Sequence, residues 1–215
     1  MRLRETVCVV ELEDVVVAAE ALLPLGERAD KNPVWQLVAA PTSWTVAHTV
    51  EHVADALVFY AGQVARRADR RLPVLRDGRV APPSEQLDNV LTAAHLLTGQ
   101  LRDLGGARAW HPSGQADAAG WVGMAVTELL VHGTDAARAT HVELELPGEV
   151  CVRTVARVFP WIDPSLASPA ELLLAVTGRL AVPGVPSDPD WWWQSAPLQE
   201  WDGTPRRRDS PPGWR

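Results

Sequence analysis

Residues 121–139 place three side chains that could bind a metal on one face of a predicted helix. Apolar residues recur through this stretch at helical spacing, with only small residues between them. At about 100° per residue, Glu128, His132 and Asp135 fall within roughly 60° of one another. The large apolar side chains, such as Met124, lie on the same side, so we expect the three polar groups to point into the protein interior.

A buried carboxylate at position 128 needs a partner, and the sequence leaves two kinds of partner open. A divalent metal is one, because a Glu and a His one helical turn apart can both reach the same ion. The other is a hydrogen bond between Glu128 and His132 inside an ordinary helix core. Asp135 also has two interpretations: it accepts a hydrogen bond from His132 when that imidazole binds a metal, or it bonds Arg138 or solvent.

A third metal ligand must come from another element, and an earlier helix offers one. This helix is predicted to begin at Thr42 or Ser43, as N-cap, and to run to about Arg70. His52 lies on the flank of its apolar stripe, where a side chain can face a neighbouring helix. Among the other histidines, His111 falls in a predicted loop, and we expect it to be solvated.

The same helix contains a competing pattern. His48, Glu51 and His52 match the His-x-x-Glu-His pattern of inverted zinc peptidases, in which Glu51 would act as general base and Glu128 as third ligand. Those peptidases have a larger α/β fold whose strands form the peptide-binding edge, and this sequence shows no strand pattern. The pattern also has only three specified residues, so a metallopeptidase is retained as an alternative.

The remaining pattern predicts an all-α protein. Four amphipathic helices without strands between them indicate a four-helix bundle, in which metal sites are commonly built from side chains of facing helices. Two shorter helices are predicted after the bundle. The predicted helices cover residues 7–30 (bent or ended at Pro24), 42–70, 84–104, 121–140, 149–159 and 169–181, with a polar loop over 106–119.

The chain divides into three predicted parts. We expect the bundle to cover residues 1–145, a helical extension to cover 146–183, and a partly disordered tail rich in Pro and Trp to cover 184–215. Three consecutive tryptophans, Trp191–Trp193, are expected to pack the tail over the bundle. The alternative is that they form an aromatic wall of a pocket.

Composition limits the partners of the protein. The chain has 215 residues, of which 47% are hydrophobic, and its net charge of −7 argues against nucleic acid as a partner. No apolar run reaches the roughly 18 residues of a membrane span, and the acidic residues Glu11, Glu13 and Asp14 make the N-terminus a poor signal peptide. We therefore expect a cytoplasmic protein without a membrane partner, compatible with a homodimer. Cys8 and Cys151 form no CxxC pattern and are expected to be reduced core thiols.

Two of these stretches resemble a known superfamily. Residues 44–52, Trp-Thr-Val-Ala-His-Thr-Val-Glu-His, are similar to the second helix of the DinB-like superfamily. Residues 128–137 fit Glu-x-x-x-His-x-x-Asp-x-Ala and resemble the fourth helix of its mycothiol-dependent maleylpyruvate isomerase group. Residues 170–179 resemble a C-terminal signature of that group. The resemblance covers about residues 7–181.

The resemblance implies a DinB-like four-helix bundle with a small, mainly helical C-terminal extension. It also implies a divalent metal, with zinc expected, held by His52, Glu128 and His132. Two histidines and one carboxylate leave coordination positions open, as in catalytic zinc sites. His48 stands where many relatives carry an acidic residue, and it could support a ligand from behind or act as a fourth ligand.

The implied function is that of a metal-dependent S-transferase or isomerase that uses mycothiol as co-substrate on a small electrophile. A thiol with a pKa near 8.5 is mostly protonated at neutral pH, and a metal would favour the thiolate. The sequence shows no Ser-His-Asp or Cys-His arrangement that would supply a protein nucleophile. Arg179 is a candidate to bind an anionic group of the thiol or substrate, or else a surface or capping residue.

A protein that binds metal without turnover, such as a stress-related bundle, is the second hypothesis, because fold and metal together do not prove a reaction. A pocket beside the metal would favour the enzyme. A filled bundle interior would favour the metal-binding protein.

Overall fold

The computed structural model describes residues 9–26, 33–73, 82–186 and 188–208, and over these ranges the protein is all-α with one small hairpin. This confirms the predicted fold class. The helices are α1 (Asp14–Glu20), α2 (Val46–Ala65), α3 (Pro83–Leu104), α4 (Ala118–Thr140), α5 (Gly148–Val158) and α6 (Pro169–Val176), and the strands are β1 (Ala109–His111) and β2 (Gly114–Ala116). Within the described ranges, none of these helices has both the length and the apolar character needed to cross a bilayer.

The first four helices form the bundle. Helix α2 packs against α3 and α4, and α1 packs against the same two helices. Leu57 of α2, Leu97 of α3 and Leu129 of α4 are fully buried in the shared core. Burial of a leucine contributes about 1.5–3 kcal/mol, so this core holds α2 and α4 in the positions from which they present their polar side chains.

Helix α4 has a capping residue at each end. The Asp117 side chain accepts a hydrogen bond from the Gly120 backbone N–H at 2.8 Å and caps the first turn. The helix ends at His141, whose backbone is left-handed with φ of 55°. Because α1, α2 and α5 pack around α4, most of its residues are buried. The polar residues of α4 therefore lie in a largely dry setting.

The predicted boundaries of the first two helices differ from the observed ones. The first helix is predicted over residues 7–30, but its described helical part is only Asp14–Glu20, followed by a 3₁₀ turn that contains Pro24. The ends of the predicted range lie outside the described residues. Helix α2 begins after Thr45 rather than at 42 or 43, because Thr45 is the N-cap residue and its hydroxyl accepts a hydrogen bond from the His48 N–H in the first turn.

The predicted polar loop over 106–119 contains the hairpin of β1 and β2, which pair antiparallel. The hairpin is attached to the end of α2: the Trp110 N–H donates to the Ala68 carbonyl at 2.7 Å, and the Gln63 side chain donates to the Trp110 carbonyl at 2.8 Å. His111 is consequently only 3% exposed. The expectation that His111 is solvated is therefore wrong, because strands of three residues are too short to be recognised by alternation.

Helices α5 and α6 form the extension, with α5 packed on α4 and α6 packed on α5. Helix α6 begins with a capping box, in which the Ser168 hydroxyl accepts from the Glu171 N–H and the Glu171 carboxylate accepts from the Ser168 N–H. The helix ends at Val176, earlier than the predicted residue 181. The chain leaves the helix there through Gly178, whose φ is 78°.

The described part of the tail, residues 188–208, has little regular secondary structure apart from a 3₁₀ turn at Leu198–Glu200, and it packs against α4, α5 and the hairpin. The guanidinium of Arg157 in α5 is buried and donates hydrogen bonds to the carbonyls of residues 194–196. Gly120 of α4 lies so close that a Cβ atom at this position would overlap the Ser195 carbonyl oxygen. The tail is thus attached to the bundle by backbone contacts that allow little adjustment.

Candidate metal centre

His52 of α2 and two residues of α4, Glu128 and His132, converge on one point between the two helices. The Nε2 atoms of His52 and His132 lie 3.5 Å and 3.3 Å from the same carboxylate oxygen, Oε2 of Glu128. One ligand atom from each of the three residues lies within 4.8 Å of the others. In the described part of the chain, this is the only group of three or more His, Cys, Asp or Glu side chains so arranged.

The spacing of these atoms fits a metal site better than a hydrogen-bonded cluster. Charge-assisted N–H···O bonds are about 2.7–2.9 Å long, which is shorter than either His–Glu separation. Two tetrahedral ligands at about 2.0–2.1 Å from a zinc ion lie about 3.3 Å from each other. The donor set of two imidazoles and one carboxylate also suits a divalent metal with open coordination positions. The residues present therefore fit the metal that the sequence implies.

Glu128 is held as a carboxylate by its neighbours. Its side chain is only 12% exposed, and burial alone would raise its pKa, but the adjacent imidazoles of His132 and His52 hold the pKa well below its ordinary value. The Tyr60 hydroxyl donates to the other oxygen, Oε1, at 3.4 Å. Burial and the adjacent carboxylate raise the pKa of Tyr60, so this hydroxyl keeps its proton. Each oxygen of Glu128 thus has its own partner.

A buried ion pair lies behind His132. Asp135 is fully buried, and the guanidinium of Arg179 donates to its two oxygens at 3.3 Å and 2.8 Å. Oδ2 of Asp135 lies 3.4 Å from Nδ1 of His132, a charge contact rather than an aligned hydrogen bond. Asp135 therefore lies beside the imidazole nitrogen that does not face Glu128, and its ionic partner is Arg179 rather than Arg138.

This ion pair affects the protonation of His132. Burial by itself would lower the pKa of the imidazole, but the carboxylates of Asp135 and Glu128 outweigh burial and raise the pKa to about 8. Without a metal, the imidazole consequently carries a proton at neutral pH. A metal ion that binds at Nε2 must displace that proton.

Arg179 lines the cavity described below, but its guanidinium already has protein partners. Besides the two bonds to Asp135, it donates to the Thr177 carbonyl at 2.7 Å. All three of its side-chain nitrogens are therefore engaged within the protein. Its role in binding an anion of the thiol or substrate stays a prediction.

His48 is exposed and lies outside the group of three. It contacts the Trp44 ring, with ring centroids 4.9 Å apart, and the same indole lies 4.6 Å from the ring of His52 and 5.9 Å from that of His132. Trp44 thus separates His48 from the two clustered imidazoles by packing against all three. The His-x-x-Glu-His pattern, which needs His48 beside His52 as a ligand, does not assemble a peptidase site here.

A cavity of about 960 Å³ opens beside the three clustered residues, at the upper end of the roughly 300–1,000 Å³ usual for ligand sites. It has two walls. The bundle wall consists of His52, Tyr60, Glu128, His132 and Arg179, and the tail wall consists of Trp191, Trp192, Trp193 and Arg208 together with His111 of β1. The tryptophans therefore pack the tail and line the cavity, which joins the two interpretations that the sequence leaves open.

His111 is a cavity residue that sequence reasoning missed. Its Nδ1 accepts the backbone N–H of Ser113 at 3.1 Å, so the neutral ring carries its proton on Nε2. The rings of Tyr60, Trp121 and Trp193 surround it, and burial lowers its pKa to about 3. His111 is thus a neutral hydrogen-bond donor at pH 7. The Pro-Ser-Gly sequence that follows it indicates a turn but carries no sign of burial.

Fold and site together define a class of protein: an all-α bundle with a two-histidine, one-carboxylate group between its second and fourth helices, open to a cavity. A family model described as the mycothiol maleylpyruvate isomerase N-terminal domain matches residues 18–137, more than half of the chain. The chain belongs to this family, which confirms the resemblance seen in its motifs. No curated protein and no solved structure matches it. The matched region includes His52, Glu128, His132 and His111 but ends before Arg179 and the four tail-wall residues after position 190.

Proposed function

We propose that the protein is a metal-dependent enzyme that uses mycothiol as co-substrate and acts on a small electrophile, as an S-transferase or an isomerase. The observation that carries the proposal is the group of His52, Glu128 and His132 at the side of a cavity with room for a thiol and a second molecule. Membership of the mycothiol maleylpyruvate isomerase family supports mycothiol as the thiol. Such thiols are intracellular, so the proposal includes the expected cytoplasmic location.

Zinc is the metal we propose, held by Nε2 of His52, Oε2 of Glu128 and Nε2 of His132. A bound zinc ion favours the thiolate form of a thiol at neutral pH. The surrounding residues orient the ligands: Tyr60 holds the second oxygen of Glu128, and Asp135 lies against the outer nitrogen of His132. Partners of this kind usually determine ligand orientation and basicity.

The nucleophile we propose is external, because the described cysteine is unsuited to the task. Cys151 is buried in α5, and burial raises the pKa of its thiol to about 12. It is also not among the residues that line the cavity. A thiol that stays protonated and lies away from the cavity cannot attack a substrate there.

In the reaction we propose, the thiolate sulfur forms a bond to the β-carbon of an unsaturated carbonyl compound, and the electron pair of the double bond moves toward the carbonyl oxygen. For an isomerisation, rotation about the new single bond and expulsion of the thiolate restore the double bond in the other geometry. For a transfer, the α-carbon takes up a proton and the sulfur stays attached. His111, a neutral donor on the tail wall, can stabilise the negative oxygen by a hydrogen bond from Nε2.

The cavity also bears on the second hypothesis. A bundle that only binds metal requires no space beside the ligands, and its interior can be filled by side chains. Here the three ligand candidates all line a cavity that also contains Arg179 and three tryptophans. This arrangement supports the enzyme over the metal-binding protein without turnover.

The test uses the cobalt-substituted full-length protein. On addition of mycothiol, we expect a sulfur-to-metal charge-transfer band in the near ultraviolet, with a pH midpoint below the pKa of the free thiol. Dithiothreitol, a simple thiol, tests whether the metal is accessible at all. The variant His132→Ala should abolish the band. The variant His48→Ala is the matched control and should keep the band. If neither thiol produces the band, the proposal fails. If only dithiothreitol does, mycothiol is the wrong thiol.

A further inference from the structure

The tail wall carries a cation that faces the cavity without an ionic partner in the described ranges. We propose that Arg208, stacked on Trp192, binds an anionic group of the molecule that enters the cavity, and that this molecule is a small planar carboxylate. The view that this molecule is a substrate rests on the proposed function. The binding of the anion does not rest on it, because binding requires neither the thiol nor a reaction.

The other cavity arginines are already engaged. Arg179 forms two bonds with Asp135, as described above, and the guanidinium of Arg71 lies 5.5 Å from the ring centroid of Phe59. Arg208 differs, since no carboxylate among the described residues forms an ion pair with it. A ligand anion that approaches the tail wall therefore finds a guanidinium for which it does not have to displace a protein carboxylate.

The environment of Arg208 is that of a binding group rather than a solvated surface residue. Its guanidinium carbon lies 4.4 Å from the ring centroid of Trp192 and 5.8 Å from that of Trp191. Its Nε atom is buried and has no hydrogen-bond partner among residues 9–26, 33–73, 82–186 and 188–208. Stacking uses the face of a guanidinium and leaves the N–H groups on its edge available for a planar anion. A buried donor without a partner costs free energy, which an anion would recover.

The backbone holds this guanidinium in place. The Arg208 N–H donates to the Asp190 carbonyl at 2.7 Å, and the Trp192 N–H donates to the Arg206 carbonyl at 2.9 Å. The Arg206 side chain in turn donates to Gln194 at 2.7 Å. These hydrogen bonds join the chain segment around residues 190–194 to the segment around residues 206–208. The Trp192 indole and the Arg208 guanidinium therefore form one preorganised unit.

This unit lines the same cavity as the candidate metal ligands but is not part of their group, which assigns different parts of a ligand to the two groups. A carboxylate held on Arg208 leaves the space beside Glu128 and His132 for a thiol. Trp191, which is partly exposed, provides an aromatic surface beside the guanidinium for the planar body of such a ligand. The anionic group then determines the orientation of the ligand, because a bidentate guanidinium–carboxylate pair restricts both position and angle.

The experiment compares two ligands of the same shape and different charge on the zinc-loaded, full-length protein. The dissociation constants of benzoate and benzamide are measured by calorimetry and by quenching of tryptophan fluorescence. We expect the unmodified protein to prefer benzoate and Arg208→Gln to weaken benzoate binding by about tenfold or more, with benzamide unchanged. Any direct binding of benzoate to zinc is common to both proteins and cancels when their dissociation constants for benzoate are divided by each other.

The adjacent arginine provides a matched control. Arg207 is exposed, pairs with Asp188 at 3.2 Å and does not line the cavity, so Arg207→Gln should change benzoate affinity less than about twofold. Equal losses in the two variants, or no loss in Arg208→Gln, would overturn the proposal. If Arg208→Gln alters the ligand-free fluorescence by releasing the tail, Arg208→Lys decides. It keeps the charge and a cation–π contact but not the planar fork, and it must still lose part of the benzoate affinity.

The result is independent of the thiol test. Benzoate binding that depends on Arg208, in a protein whose cobalt form gives no thiolate band, would retain the anion site and refute the proposed function. A thiolate band together with benzoate binding that is indifferent to Arg208 would retain the function and refute the anion site.

Discussion

The bundle wall and the tail wall of the cavity differ in whether their charged side chains are paired with one another. On the bundle wall, Glu128 lies between two imidazoles, and Asp135 behind it lies between His132 and Arg179. On the tail wall, indole rings surround a neutral histidine and a guanidinium without a carboxylate partner in the described chain. One wall is therefore suited to a metal ion, which needs negative and neutral donors. The other is suited to an anion with an apolar body.

His132 and His111 show the physical basis of this difference. Both are largely buried, and burial lowers the pKa of an imidazole in each case. At His132, two adjacent carboxylates reverse the effect and raise the pKa to about 8, whereas at His111 the surrounding rings leave burial dominant and the pKa falls to about 3. The number of charged neighbours, more than depth, determines how a buried histidine is used.

The largest expected effect comes from removing a ligand on the bundle wall. Protein purified without chelator should contain about one divalent metal per chain by elemental analysis, and His132→Ala should reduce this to background. His48→Ala, which alters an exposed histidine on the other side of Trp44, should retain the metal. A His132→Ala protein with full metal content would show that the three-residue group is an ordinary buried cluster.

Asp135→Asn should weaken metal affinity by about 10–100-fold while the bundle stays folded, because it removes the negative charge beside Nδ1 of His132. It also leaves Arg179 without its ionic partner. The measurement is a competition titration with a chromophoric chelator, with circular dichroism as the check on folding. Unchanged affinity would mean that Asp135 serves only to pair with Arg179.

Gly120→Ala is expected to displace the tail wall and to leave the bundle wall unchanged. Because the added methyl group would overlap the Ser195 carbonyl oxygen, the tail must shift, at an expected cost of about 1–3 kcal/mol in the free energy of unfolding. Metal content should not change, but tryptophan fluorescence should shift as Trp192 gains solvent contact. Gly99→Ala is the matched control, since open space surrounds that helical glycine. Equal behaviour of the two variants would contradict the close attachment of the tail.

The last prediction is a dependence of metal affinity on pH, which is the smallest effect when it is expressed per pH unit. His132 has a raised pKa of about 8. Below pH 8 a metal must therefore displace a proton from this imidazole, and above pH 8 it displaces none. Apparent affinity should fall about tenfold for each pH unit below about 8 and level off above it. The same chelator titration, repeated across pH 6–9, measures this dependence, and the apparent metal affinity should change by about a hundredfold over that range. A flat profile would contradict the influence of the two carboxylates on this imidazole.

Much of the bundle wall could be predicted from local sequence patterns. Glu128, His132 and Asp135 lie on one helix, so helical periodicity places them on one face before any tertiary contact is known. His52 was located from its place beside an apolar stripe and from the motif that begins at Trp44. The placement of these side chains follows from the sequence because the relevant geometry is a property of single helices of about twenty residues, whereas their role as metal ligands stays a prediction.

Tertiary structure alone decided the tail wall and the pairing of charges. His111 belongs to strands of three residues, and the tail is held by the fit of Gly120 against Ser195 and by carbonyls that accept from Arg157. None of these contacts has a period along the chain. The sequence indicates Arg179 as a candidate to bind an anion, and this stays a prediction. In the structure Arg179 and Arg208 both line the cavity, and of these two only Arg179 has a carboxylate partner among the described residues. A sequence determines which residues carry charge, but whether a charge is neutralised depends on the neighbours that distant segments bring to it.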